Sequence, residues 1–360
     1  MGFDLLNGLK AQLESVQPFP FEFLFENIGH GGDSSEVYNK AEKLLMQGAD
    51  AIIAYLDHTE AEKLDQLFIQ LKRILIVLDP GGHVPLQWNN CNPYRYTISL
   101  QSAYNNYLTG ILAAQNGTKR AFFATSFYEG GYLQTYSYQR GYREQGGEIL
   151  YHSVVPFHIH TYTIDNFSYN FERLHPETIL AQFSAEAGKY FLDQYIKTSF
   201  SRDIPMYVSA LMLEESWLDT LPFPFAGIRG YVSWHRSIES ESNRQFIDTI
   251  RKRYDTIPNL FTLLGWESGI LLHKLLKQSC LLNISDNISL HSPRGVLSLH
   301  KDSNTFFGPA YLTEIIEDKA TGHCRLEQIT QLNCQAKTDD FTGEVLSGVF
   351  SKWTNTYLCI

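Results

Sequence analysis

The sequence has no apolar run approaching the ~20 residues that span a bilayer; ILIVL, Ile74 to Leu78, is the length of one strand. No secretory leader pattern is visible, since Met1 leads within four residues into LLNGLKAQLE, which has helical periodicity. Cysteine is scarce. Cys91, Cys280, Cys324, Cys334 and Cys359 are odd in number and far apart, which fits neither a disulfide framework nor a zinc site. Cys324 and Cys334 stand where a C-terminal hairpin would let them pair, but unpaired small residues are the favoured reading. Basic residues are outnumbered, 29 Lys and Arg against 39 Asp and Glu, and form no stripe. That argues against a nucleic-acid or anionic-membrane partner. The glycine motifs of dinucleotide sites and P-loops are missing, and no low-complexity tract suggests disorder.

A hydrolase is disfavoured on similar grounds. GHGG, Gly29 to Gly32, is like an esterase oxyanion loop, but no G-x-S-x-G accompanies it. GWESG, Gly265 to Gly269, has its serine one place too late and lies within a helical pattern. GHGG therefore reads as a strand-to-helix turn. His158 and His160 share one face of an extended segment near His152; without a carboxylate or cysteine at ligand spacing they read as surface histidines rather than a metal site. Neither metal nor other cofactor is expected, and no catalytic residue. The sequons at Asn116, Asn166, Asn283 and Asn287 would carry glycans only in a eukaryotic secretory setting.

What is present is a regular alternation of strand and helix patterns. At 360 residues, 44% of them hydrophobic, the chain is long enough for two lobes with separate cores. FEFLFENI (Phe21 to Ile28) reads as a strand. Asp33 with Glu36 looks like a capping box opening a helix. ADAIIAYLD is a strand, TEAEKLDQLFIQLK one amphipathic helix with Leu64, Leu67, Phe68 and Leu71 on its apolar face, RILIVLD a buried strand, and SAYNNYLTGILAAQNG a helix stopping at Gly117. The pattern restarts at KRAFFAT, runs through four further strands, and meets two consecutive helices before a β-rich end. Such alternation predicts an α/β protein with two doubly wound parallel sheets. Ligands of these sheets bind beyond the carboxyl ends of the strands. The candidate ligand-binding residues are therefore Asp57, His58 and Thr59; Gly81 and Gly82; Phe127 and Tyr128; Phe183 and Ser184; and Glu214 or its neighbour Glu215. The glycines allow close backbone approach, the aromatic rings offer flat apolar area, and Glu214 or Glu215 suits a cationic group. At each position a helix cap or solvated turn is the competing reading.

Several passages resemble, in order, those of the type I periplasmic binding proteins, specifically the branched-chain amino-acid type of ABC-transporter substrate-binding protein. They are GFDLLNGLKAQLE, KAEKLLMQGADAIIAYLDHTEAEKL, NPYRYTISLQSAYNN, SFYEGGYLQTYSYQRGYREQGGEIL and SPRGVLSLHKDSNTFFGPAYLTEI. The resemblance implies lobe 1 from residues 1–117 plus 234–305, and lobe 2 from residues 118–233 plus 306–360, joined by a three-crossover hinge. It implies a non-enzymatic, periplasmic or cell-surface protein closing on a small-molecule solute in the inter-lobe cleft, with an ABC permease as partner. A ligand-sensing domain of a receptor or regulator is the alternative. Tyr128 would project into the cleft, Gly130 and Gly131 would start the next helix near the ligand, Gly141 would seat that helix close to the sheet, and Gly146 and Gly147 would end it.

Two departures stand out. The family's opening strand and Gly-rich loop are absent, so Met1 is not expected to be the native start, and a secretion signal is expected to have been lost with the strand. DPGGHVP replaces the hydroxyl-rich segment with which amino-acid binders hold a carboxylate, and Asp79 would repel one.

Overall fold

The computed structural model describes residues 2–16, 21–29, 33–82, 92–127, 133–156, 158–200, 203–220, 225–277, 288–317, 322–333 and 341. In chain order these form α1 (Gly2–Val16), α2 (Ser34–Met46), β1 (Ala51–Tyr55), α3 (His58–Lys63), α4 (Asp65–Leu71), β2 (Ile74–Asp79) and β3 (Arg95–Ser99). There follow α5 (Ser102–Gln115), β4 (Arg120–Ser126), α6 (Leu133–Glu144), β5 (Glu148–Val155), α7 (Asp165–Leu174), β6 (Thr178–Gln182), α8 (Ala185–Tyr195), β7 (Met206–Val208), α9 (Glu215–Leu218) and β8 (Arg229–Val232). The last elements are α10 (Glu241–Tyr254), α11 (Leu260–Lys277), β9 (Ser289–Ser292), β10 (Gly295–His300), β11 (Thr305–Phe307), β12 (Ala310–Glu317) and β13 (Cys324–Leu332).

The described residues fall into two compact units. The first takes the chain up to Gln101 and again from Ile238 to Pro309; the second takes Ser102–Ser237 and Ala310–Leu332. The first unit holds a six-stranded sheet in the order β1-β2-β3-β11-β10-β9. Its first four strands are parallel, and β10 runs antiparallel to its neighbours β11 and β9. β2 and β3 are buried along their whole length, as strands covered on both faces must be. The second unit holds seven strands in the order β13-β12-β8-β7-β6-β4-β5, in which β12 runs antiparallel to its neighbours β8 and β13. Both sheets are thus mixed rather than wholly parallel.

The sequence reading needs correction at three places. Phe21–Ile28 is not a strand; the segment lies outside both sheets, and Phe23 and Phe25 stack on each other at 6.3 Å. Residues 2–16 are helical, as expected, and β1 stands at the sheet edge among the described residues. The helix expected over 59–72 breaks at Leu64 into α3 and α4, which leaves Leu71 exposed while Leu64, Leu67 and Phe68 are buried. α5, expected in the first lobe, belongs to the second unit, so the first crossing lies at Gln101 and Ser102 rather than Gly117.

Why α5 goes with the second unit is visible in its packing. A Cβ on Gly110 would stand 2.2 Å from the carbonyl oxygen of Tyr138, and one on Gly141 2.1 Å from that of Tyr107. The two glycines let α5 and α6 cross backbone to backbone. Gly141 therefore seats α6 against a helix, not against the sheet. The first unit repeats the device with α1 and α11, where Gly8 faces the Thr262 carbonyl and Gly265 that of Leu5, each at 2.0 Å from the added Cβ. Gly146, at φ 79°, takes the left-handed turn that ends α6.

Candidate functional site

In the first unit the carboxyl ends of β1, β2 and β3 gather one polar cluster. Asp57 follows β1 and caps α3, its Oδ1 accepting from the Glu60 backbone N–H at 2.8 Å and the Thr59 hydroxyl at 2.6 Å. Asp79 ends β2 and is 1% exposed. Its Oδ1 accepts from the Gly81 N–H at 2.9 Å; its Oδ2 accepts from the Ser99 hydroxyl at 3.0 Å and faces His58 Nε2 at 3.4 Å. Gly81 has φ 80°, which closes this turn back onto the carboxylate. The predicted residues Asp57, His58, Thr59, Gly81 and Gly82 are therefore brought together, with Ser99 as a member sequence reasoning missed. Its position at the end of YRYTIS was the available signal.

Behind the cluster lies a buried ion pair. Arg294 and Glu267 are both fully buried and joined by two contacts, Nε to Oε1 at 2.7 Å and Nη2 to Oε2 at 3.1 Å. The same Nη2 donates to the Ser99 carbonyl at 3.0 Å, and the Ser292 hydroxyl donates to Glu267. Gln101 lies beside them, with its carboxamide donating to the Gly308 carbonyl at 3.0 Å and accepting from the Gly308 N–H at 3.2 Å. Burial of these charges is compensated by near-complete pairing. The nearby Glu62 carboxyl is pushed up by burial, against the pull of Arg95 and His58.

The second unit's strand ends are built from neutral amides. Asn106 donates to Gln182 Oε1 at 2.6 Å, Gln182 to Gln134 Oε1 at 3.2 Å, and Gln134 to the Ser102 hydroxyl at 2.9 Å. Asn106 also accepts from the Ala210 N–H at 3.0 Å. The residues predicted here have different fates. Phe127 is 58% exposed at the end of β4. Ser184 is buried at the N-cap of α8. Phe183 sits in the core, fully buried and stacked on Phe191 at 4.8 Å, because the chain after β6 turns its ring under α8. Glu214 caps α9 by accepting from the Ser216 N–H at 2.9 Å and from the Ser216 hydroxyl. Glu215 is buried beside Arg236, and burial pushes its carboxyl up. Tyr128, Gly130 and Gly131 lie outside the described residues.

His152 is exposed and bonded to Gln139, and burial of part of its ring lowers its pKa. Ser268 lies within α11, donating to the Gly265 carbonyl. Among the described residues no group of three or more His, Cys, Asp or Glu side chains could hold a metal ion, and no helix is long and apolar enough to cross a membrane. Cys324 is buried on β13, and the other four cysteines lie outside the described residues.

The family model described as periplasmic binding protein matches residues 22–319. The chain belongs to the periplasmic binding protein family. No curated protein matches the sequence. Among solved structures, the chain is similar to an ABC transporter substrate-binding protein from Sphaerobacter thermophilus, with TM-score 0.78 and 17% identity over 92% of this chain and 93% of that one. It is also similar to a solute-binding protein of an ABC transporter from Rhodopseudomonas palustris BisB5 in complex with 3,4-dihydroxybenzoic acid, with TM-score 0.75 and 17% identity over 92% and 93%. A third is an ABC-type branched-chain amino acid transporter protein from Rhodopseudomonas palustris CGA009, with TM-score 0.69 and 16% identity over 92% of each chain. At these identities the likeness establishes the shared fold. In this periplasmic binding protein the strand-end clusters are where that fold would present a ligand.

Proposed function

We propose that this periplasmic binding protein is the extracytoplasmic solute-binding component of an ABC transporter, acting by binding and delivery rather than catalysis. The family match over residues 22–319 carries the reading. The polar clusters at the strand ends support it, since each unit places hydrogen-bonding groups where doubly wound sheets take ligands. His58, Thr59, Gly81 and Gly82 are the proposed contacts in the first unit, and Phe127 and Ser184 in the second. The partner would be an ABC permease. A thermal-shift screen against amino acids, small peptides, amides, urea, amines and aromatic acids tests the reading. A ligand at a hundred times its Kd stabilises the folded state by about 2.7 kcal/mol, so one solute class should give a saturable rise. Silence across every class would count decisively against solute capture.

A further inference from the structure

Asp79 and His58 bear on which solute is taken, an inference that rests on the solute-binding reading above. Among the described residues at the first unit's strand ends, the Gly81 N–H, the Ser99 hydroxyl and the His58 ring face the carboxylate of Asp79, and the Thr59 hydroxyl donates to Asp57. The groups that would receive a ligand's carboxylate are thus occupied by one belonging to the chain. The surrounding charges do not offset it. Arg95 is held by Asp65 through two contacts at 2.8 and 3.0 Å, and Arg294 by Glu267. Asp57 adds a second carboxylate one residue before His58, and Glu62 and Glu60 lie on the same short helix, Glu60 beside Lys63. Among the described residues the basic group that faces Asp79 is the His58 ring, which is charged only when protonated.

His58 supplies an independent observation. Its ring is 2% exposed, and Nε2 faces Asp79. Its other nitrogen, Nδ1, is buried in the same cluster with no hydrogen-bond partner. A neutral imidazole giving its Nε2 proton to Asp79 leaves Nδ1 as a bare acceptor. Buried polar atoms are nearly always paired, so Nδ1 calls for a partner, either water or a ligand group. What Nδ1 lacks is an N–H or O–H donor. Beside a neutral imidazole the carboxylate meets no full positive charge among the described residues, and a buried charge calls for one.

We propose that Asp79 and His58 make the first unit's strand ends select a cationic N–H donor, an amine or amidine, and reject carboxylates. A second carboxylate ~5 Å from Asp79, at an effective dielectric of ~20, would bind roughly a hundredfold more weakly than its neutral counterpart.

Matched pairs test this by thermal shift and calorimetry on the full chain: benzamidine against benzoate, and isopentylamine against isovalerate. At least one cationic member should bind the wild type saturably, with its carboxylate partner at least a hundredfold weaker. In Asp79→Asn that preference should shrink by roughly tenfold or more, and His58→Phe, which removes the Nδ1 acceptor, should weaken the cationic member as well. Saturable binding of a carboxylate member to the wild type at comparable affinity would overturn the inference while leaving solute binding intact. Silence from every pair overturns it too, and the broad screen then decides solute binding separately. The wild-type comparison needs no variant, so a poorly folding Asp79→Asn does not spoil the test.

Discussion

Replacing Gly110 by alanine tests the helix crossing in the second unit, and the sign of the effect is the informative quantity. On an exposed helix face the change would stabilise the chain by about 1 kcal/mol through helix propensity. Here the new methyl group would sit 2.2 Å from the Tyr138 carbonyl oxygen and 2.8 Å from the Tyr142 nitrogen, where ordinary contact starts at 3.4 Å. Backbone cannot swing aside as a side chain can, so α5 and α6 must part by about 1 Å. A gap of that size forfeits up to half of each contact's ~0.1–0.2 kcal/mol. Over some 40 atom pairs that is about 2–4 kcal/mol, so the net loss is about 1–3 kcal/mol. For a unit of this size the transition should fall by roughly 3–8 °C. Calorimetry with parallel urea melts reads it. Gly141→Ala should behave alike, and the double variant should lose less than the sum, because one separation makes room for both methyl groups. An unchanged or raised transition in Gly110→Ala would refute the close crossing.

Further outcomes follow from other parts of the molecule. Glu267→Gln, which strands Arg294, should cost about 3–5 kcal/mol in urea unfolding, while Glu267→Leu with Arg294→Met should cost much less; equal losses would contradict the pairing. Phe183→Ala should destabilise by about 3–5 kcal/mol as a core truncation, whereas a ligand-contact residue would leave the melt unmoved. His235 is buried, and desolvation holds its pKa down to about 4, against a bond to Gln328. The unfolded chain then binds a proton that the folded one refuses, so stability falls as pH drops from about 6.5 to 4, by about 2 kcal/mol between pH 7 and pH 5. His235→Gln should flatten that slope in urea melts across the range.

Much of the fold was legible because the strand and helix periods differ and the strands of a covered sheet are continuously apolar. β2 and the amphipathic α10 are such cases. Phe21–Ile28 misled because alternating aromatic residues report an extended chain but not a pairing partner. The break at Leu64 was invisible because Leu is a good helix former; Asp65 turns aside to hold Arg95, a residue 30 places on. At the site, strand ends were readable but roles were not. Asp57 and Glu214 became caps, and Phe183 went to the core, since capping and burial are decided by neighbours in space. The Asp79 cluster joins three strand ends and the amide chain joins α5, α6 and β6, so neither leaves a local signature. Gly141 reads in sequence as seating its helix on the sheet; in the structure it and Gly110 are the contact points between α5 and α6.

The interleaving of the two units has a consequence for how the chain reaches its native state. β3 pairs with β11, and α1 lies on α11, so the first unit's sheet and helix layer both join residues some two hundred places apart. A ribosome adding about 5–20 residues per second needs roughly 10–40 s to traverse that interval. Through it, β3 lacks its neighbour β11, and the apolar face of the sheet not covered by α2 to α4 is available to chaperones or to other nascent chains. Neither unit exists as a contiguous stretch that could be expressed alone, because β12 and β13 close the second sheet from beyond the first unit's last strand. Yield should therefore respond more to holdase capacity and temperature during synthesis than to the stability of the finished protein.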